Sequence, residues 1–227
     1  MDREEFRTLW EGRYVENYPD ETFALVQEVE KITPLNIIIE IGVKHCGTLV
    51  LWEKLLKPGD TLIGIDENPK ELILRYSGYS NVAYPPWDWA EVPTRWAECP
   101  LGYTPVSTCV LNTYDPDSSD RDVHIVSSDS TAPDTLRRVA DILQGRQADF
   151  IYHDGGHYGE VPKLDFQNIV LPFLRPGGLF CIADLTCGGE TDPPTGIAGL
   201  ITSLPPSAKP MSIIQPRRAG YLLWWKP

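Results

Sequence analysis

The chain has 227 residues, and 32 Asp and Glu against 20 Lys and Arg leave a formal net charge of −12. That length suits one domain with an elaboration, able to bury a core without disulfides, and the negative field repels phosphate backbones and argues against nucleic-acid binding. No aliphatic run approaches the about 18 to 20 residues of a membrane span, no apolar stretch follows the charged start Asp2-Arg3-Glu4-Glu5, and five cysteines show no C-x-x-C spacing, so a cytoplasmic single domain over 1–227 with idle thiols is expected.

Asp20 opens a helix whose Phe23, Val26 and Val29 recur at helical spacing until Pro34, making 1–33 a helical flank. Asn36-Ile37-Ile38-Ile39-Glu40-Ile41 is a continuous β-branched run closed by Gly42, the pattern of a strand buried on both faces. Thr48 is placed to cap the next helix, which carries Leu49, Trp52, Leu55 and Leu56 and stops at Pro58-Gly59. Leu62-Ile63-Gly64-Ile65-Asp66 is a second buried strand, so the pair forms a right-handed parallel βαβ unit. The alternation returns with a strand over 123–126, a helix over 131–143 and a strand over 149–152. A helix then places Phe166, Ile169, Val170 and Phe173 on one face, with Pro162 in its first turn and Pro176-Gly177-Gly178 as its stop. A strand over 179–183 and a closing antiparallel hairpin, 211–214 and 221–225, complete the count. The expected fold is α/β: a Rossmann-like, mostly parallel sheet of seven strands, helices on both faces and an antiparallel last strand.

One stretch is too long for a single crossover helix. Residues 84–122 hold Trp87, Trp89 and Trp96 and many prolines, and read as an insertion. It is either a surface excursion pinned by aromatic packing or a substrate-covering cap. The N-terminal helix and this insertion could each bury against a second copy, so a homo-oligomer is possible.

In an open parallel sheet the ligand binds at the carboxyl ends of the strands. Here those ends read Glu40-Ile41-Gly42, Asp66, Ser128-Asp129-Ser130, Asp154-Gly155-Gly156-His157 and Asp184. Carboxylates at buried strand ends cost desolvation unless they bind something. The first turn lacks a G-x-G-x-x-G fingerprint, since Lys44 interrupts it and only Gly42 and Gly47 are glycines, and no G-x-x-x-x-G-K-[ST] exists. Asp66 ends the second strand, where a carboxylate accepts both hydroxyls of a ribose. A nucleoside-bearing cofactor without pyrophosphate fits best.

These residues resemble class I S-adenosylmethionine-dependent methyltransferases, and more closely the small-molecule O-methyltransferases grouped with macrolide-sugar and rhamnosyl methyltransferases and cephalosporin-hydroxylase-like proteins. The likeness covers residues 34–225. It rests on Glu40-Ile41-Gly42 with Gly47-Thr48, Gly64-Ile65-Asp66, Ser128-Asp129-Ser130, the run from Asp149 through His153-Asp154-Gly155-Gly156-His157, and Leu174-Arg175-Pro176-Gly177-Gly178 before Asp184. It implies S-adenosylmethionine as cofactor. Glu40 and the 42–47 loop would hold the methionine portion, Asp66 the ribose and Asp129 the adenine edge, with Thr48, Ser128 and Asp154 also lining the cofactor site.

Asp154 and Asp184 end neighbouring strands, about 4.8 Å apart, so their carboxylates could share one divalent ion such as Mg2+. The related metal-dependent enzymes carry a second acidic or amide residue beside the one matching Asp184; here Ala183 and Leu185 flank it, and Glu190 or Asp192 are candidate substitutes. His157, in the Gly-Gly turn three residues after Asp154, is suited to accept a proton from a substrate hydroxyl, and the resemblance gives it the same role. His153 orients the site or packs beneath it, His45 is a candidate lining residue of the cofactor loop, and His124 is expected in the core. The expected activity is O-methylation of a hydroxyl on a small molecule, with His157 as base and Asp154 beside it. Two other readings stand: a cofactor-binding protein of this fold whose transferase chemistry is lost, suggested by the incomplete acidic pair and Cys46, and an interaction protein docking through the aromatic insertion.

Overall fold

The computed structural model describes residues 1–10, 19–43, 47–67, 120–185, 196–203, 211–214 and 220–227. The insertion expected over 84–122 lies outside them except at its last residues, as do His45, Cys46, Glu190 and Asp192.

Among the described residues seven strands form one sheet: β1 (Ile37–Ile41), β2 (Thr61–Asp66), β3 (Asp122–Ser127), β4 (Ala148–His153), β5 (Leu174–Ala183), β6 (Met211–Ile214) and β7 (Tyr221–Trp225), in the spatial order β3-β2-β1-β4-β5-β7-β6. β1 through β5 pair in parallel, and β7 runs antiparallel to both β5 and β6. The order in which successive strands are added reverses between β1 and β4, which run parallel, so the strand ends of β1, β2 and β4 bound one crevice.

Because side chains alternate across a strand, the all-apolar runs feed two cores at once. Ile38, Leu62, Phe150, Tyr152, Leu179 and Leu223 point to one face, where α1 (Arg3–Trp10), α2 (Pro19–Val29) and α3 (Gly47–Leu55) cover them through Trp10, Leu25, Val29 and Trp52. Ile37, Ile39, Ile63, Ile151, Phe180 and Leu222 point to the other, under α4 (Pro133–Leu143), α5 (Val161–Asp165) and α6 (Gly196–Ser203). The α/β fold, the antiparallel last strand and the helices on both faces are as expected.

Several local expectations are corrected. Among the described residues of the N-terminal flank there are two helical segments, α1 and α2. α1 starts because Asp2 Oδ1 accepts the Glu4 and Glu5 amides at 2.9 and 2.8 Å, and it buries Phe6 and Trp10, one helical turn apart. α2 spans Pro19–Val29, with Asp20 at its second position. Glu21 accepts the Gly220 amide at 2.9 Å and Thr22 shares a 2.7 Å hydrogen bond with the Tyr221 hydroxyl, tying α2 to β7. Thr48 is likewise inside α3, and its hydroxyl donates to Glu40 and does not cap the helix. α5 passes into a π-helical turn, Phe166–Val170, and a last turn Leu171–Phe173, keeping Phe166, Ile169 and Val170 buried. β5 begins at Leu174, earlier than the Pro-Gly-Gly stop suggested, because Gly177 and Gly178 exchange backbone hydrogen bonds with Lys226. His124 is not in the core: β3 is an edge strand, and His124 is 36 % exposed and 2.9 Å from Asp122.

At the end of the sheet away from the crevice, Asp149 accepts the Asn36 and Ile37 amides at 2.7 and 2.9 Å and pairs with Arg175. This brace fixes where β1 and β4 begin, and therefore where their opposite ends stand.

Candidate functional site

The first turn of the site is built by Gly42, at φ +83°. Its amide donates to the Ile65 carbonyl at 2.8 Å, the Asp154 amide donates to the Ile41 carbonyl at 2.8 Å, and the Val43 amide donates to Asp66 Oδ2 at 3.0 Å. The ends of β1, β2 and β4 are thus stitched together by the backbone around one glycine. A Cβ at position 42 would stand 2.4 Å from both the Asp154 carbonyl oxygen and Gly155 Cα. The left-handed backbone alone costs an L residue about 1–3 kcal/mol, so Gly42→Ala is expected to lower the melting temperature by at least about 5 °C. A thermal melt showing no change would mean that the turn is not held in this conformation.

Glu40, on β1, is fully buried. One carboxylate oxygen accepts the Thr48 hydroxyl, and Oε2 has no hydrogen-bond partner among the described residues. Burial pushes its carboxyl well above the ordinary carboxylate range; the Thr48 hydrogen bond opposes that, and the charges of Asp154 and Asp66 add to it. A buried carboxylate oxygen without a partner is costly, and a cationic donor from a ligand would satisfy it. Asp66 is partly buried at the end of β2. Gly47 and Thr48 are buried in the first turn of α3. Asp129 is exposed, its Oδ1 accepting from the Thr131 amide and hydroxyl at 2.8 Å, and Ser128 beside it is partly buried.

The second half of the site lies at the ends of β4 and β5. Asp154, His157 and Asp184 present ligand atoms all within 4.8 Å of one another. His157 stands between the two acids, Nε2 3.8 Å from Asp154 Oδ1 and Nδ1 3.9 Å from Asp184 Oδ2. Asp154 Oδ2 also accepts the Tyr152 hydroxyl at 3.2 Å. Burial, with His153 adding to it, pushes the His157 imidazole down to about 3, so the ring rests neutral near pH 7. The flanking carboxylates would stabilise the imidazolium once a proton arrives. Asp184 adopts φ +57°, a conformation that Asp and Asn tolerate better than most residues.

His153 is fully buried beneath this group, its ring centroid 5.8 Å from that of His157. Its Nε2 is 2.9 Å from Asp165 Oδ2, which also accepts the Ser130 hydroxyl at 3.0 Å. Asp165 was not singled out in the sequence. Its signal was available: it shares a helical face with Ile169, where an acid is out of place.

The family described as "Methyltransferase domain" matches residues 39–185. No curated protein matches the chain in sequence. Among solved structures, the MycE methyltransferase from the mycinamycin biosynthetic pathway, in complex with Mg, SAH and mycinamycin VI, aligns with a TM-score of 0.58 at 16% identity, covering 98% of this chain and 53% of that one. The chain thus spans about half the length of MycE. The O-methyltransferase TomG from Streptomyces achromogenes, in complex with SAM, aligns at 0.56 and 13% identity over 100% of this chain and 92% of its own. CalS11, a calicheamicin methyltransferase, aligns at 0.54 and 16%, covering 92% and 80%. At these identities the likeness is one of fold.

Proposed function

The chain belongs to the methyltransferase-domain family, and from that premise we propose that it binds S-adenosylmethionine in the β1–β2 crevice and methylates a hydroxyl of a small molecule. The observation that carries the reading is the buried, unpartnered Glu40 Oε2 beside the Gly42 turn. The acid is ready to accept from the cofactor's ammonium group, and the Gly42 turn lets the ends of β1 and β4 pack backbone to backbone beside it. Asp66 accepts the ribose hydroxyls, and Ser128 and Asp129 border the adenine edge. The relatives with bound SAM or SAH support the same choice.

When bound, the cofactor supplies a methyl group on a positively charged sulfur. His157 takes the acceptor hydroxyl proton onto its imidazole, and Asp154 and Asp184 stabilise the resulting cation. The bound cofactor would offer its methyl carbon to the acceptor oxygen so freed, with the carbon–sulfur electron pair returning to sulfur. Alignment and exclusion of water supply much of the rate.

Asp154 and Asp184 also fit a hard divalent ion, since Mg2+ is bound through one or two carboxylates plus water. Such an ion would lower the proton affinity of an acceptor oxygen. Asp184→Asn, which keeps a residue tolerant of the left-handed backbone, and chelation are each expected to lower turnover about tenfold or more, and together no further. Indifference to both would remove the ion from the reaction.

The test of the main reading is calorimetric titration of metal-stripped protein with S-adenosylmethionine, repeated with Mg2+, followed by a screen of hydroxylated acceptors with methyl-labelled cofactor. Micromolar binding with label transfer is expected. Binding without transfer to any acceptor would favour a protein whose transferase chemistry is lost, and no binding would overturn the cofactor assignment.

A further inference from the structure

Asp165 has no place in the chemistry above, yet it is fully buried and touches both halves of the site. Its Oδ2 accepts the Ser130 hydroxyl at 3.0 Å and faces His153 Nε2 at 2.9 Å. Ser130 lies in the loop between β3 and α4, next to Asp129. His153 is the last residue of β4, next to Asp154, with its ring against that of His157. One carboxylate oxygen therefore joins the nucleoside-side loop to the strand end that carries the proton-accepting side.

Stability does not account for this pair. His153 Nδ1 and Asp165 Oδ1 are both buried without a hydrogen-bond partner among the described residues. A buried polar pair left incomplete costs more than an apolar pair of similar volume filling the same space. The π-helical turn begins at Phe166, immediately after Asp165. Such turns are rare and frequently mark functional positions.

We propose that Asp165 is a positioning residue: through Ser130 and His153 it sets the loop beside Asp129 and the His157 ring relative to one another. The inference rests on the cofactor reading above for what the loop contacts. Three consequences separate it from simple packing. Removing the Ser130 hydroxyl frees the loop and weakens cofactor binding. Removing Asp165 frees both arms, and the loss of Ser130 then adds nothing, because the two act through one contact. Asparagine at 165 keeps an acceptor oxygen and restores most of both effects.

The experiment uses the full chain and S-adenosylhomocysteine as probe, with affinity from calorimetry, melting temperature, and the ring 15N signals of labelled histidines in the free protein. Ser130→Ala is expected to weaken binding about three- to tenfold, and Asp165→Ala about tenfold. The double variant should match Asp165→Ala within about twofold, and Asp165→Asn should stay within about threefold of wild type. The His157 ring signals should move in Asp165→Ala and return in Asp165→Asn. Val139→Ala, a buried change in α4 that lowers the melting temperature, serves as the control and should leave affinity and His157 signals unaltered. Asp165→Ala with wild-type affinity and wild-type His157 signals would overturn the proposal, and so would effects no larger than the control's. If Asp165→Ala does not fold, Ser130→Ala and Asp165→Asn decide through the same two readouts. Wild-type protein that does not bind the probe would sink the cofactor reading and leave the His157 signals to judge the positioning role.

Discussion

His157→Gln is expected to leave S-adenosylhomocysteine binding at its wild-type value and to lower methyl transfer by about a hundredfold to ten-thousandfold, the usual contribution of a positioned base. Glutamine is close in volume, so the turn from Asp154 to Gly159 survives and the crevice around Gly42 is untouched. The loss then falls on the chemical step, read as a drop in kcat with KM for the cofactor unchanged. The size of the loss follows from the surroundings: His157 is 8% exposed and lies 3.8 and 3.9 Å from two carboxylates. No other described histidine offers that arrangement, since His153 is committed to Asp165 and His124 lies at the β3 edge. Unchanged turnover in His157→Gln would remove the residue from catalysis and leave the proton to a neighbouring carboxylate or to solvent. Equal losses in binding and turnover would mean that the ring shapes the crevice and does not accept the proton.

Why His157 was legible in the sequence and Asp165 was not is a matter of where each sits. The strand ends could be located because β1 and β2 are short, mostly apolar runs closed by Gly42 and Asp66, and in a parallel sheet ligands bind just beyond the carboxyl ends of such runs. Asp66, Asp154, His157 and Asp184 were read directly from that rule. Residues inside helices carry no such marker. Asp165 is displayed on the apolar face of α5, and only its mismatch with Ile169 betrays it. Thr48 shows the reverse error: its position before an apolar run looks like a cap, but α3 already includes Gly47, so Thr48 lies within the helix and its hydroxyl donates to the buried Glu40. The first helix escaped for a third reason. Asp2, Glu4 and Glu5 read as surface charge, and the cap that Asp2 makes for the Phe6 and Trp10 face appears only once the helix is in place. His124 was misjudged because strand order, which puts β3 at the sheet edge, is not written in any single strand.

Glu40→Gln is expected to weaken S-adenosylmethionine binding about tenfold to a hundredfold while raising the melting temperature at neutral pH. The two effects have one origin. Glutamine is nearly isosteric and can still accept the Thr48 hydroxyl through its carbonyl oxygen, but its amide then faces the incoming ammonium with a donor. Losing a charge-assisted hydrogen bond accounts for the affinity change. The stability change follows from protonation. Burial raises the Glu40 carboxyl above its ordinary value of 4.5, so the folded chain holds that proton more tightly than the unfolded chain does. The wild-type protein therefore loses stability as pH rises from about 4.5 toward the folded value, and the glutamine variant does not. Melting curves of the two should lie closest near pH 4 and separate as pH rises, by about 2–4 °C for each kcal/mol recovered. Saturating cofactor should close or invert the gap, because the ligand stabilises only the wild-type site strongly. A variant that binds as tightly as wild type would place the ammonium elsewhere. A variant that melts lower at neutral pH would mean that the carboxylate is already satisfied in the free protein, and the unpartnered oxygen would cease to argue for a ligand.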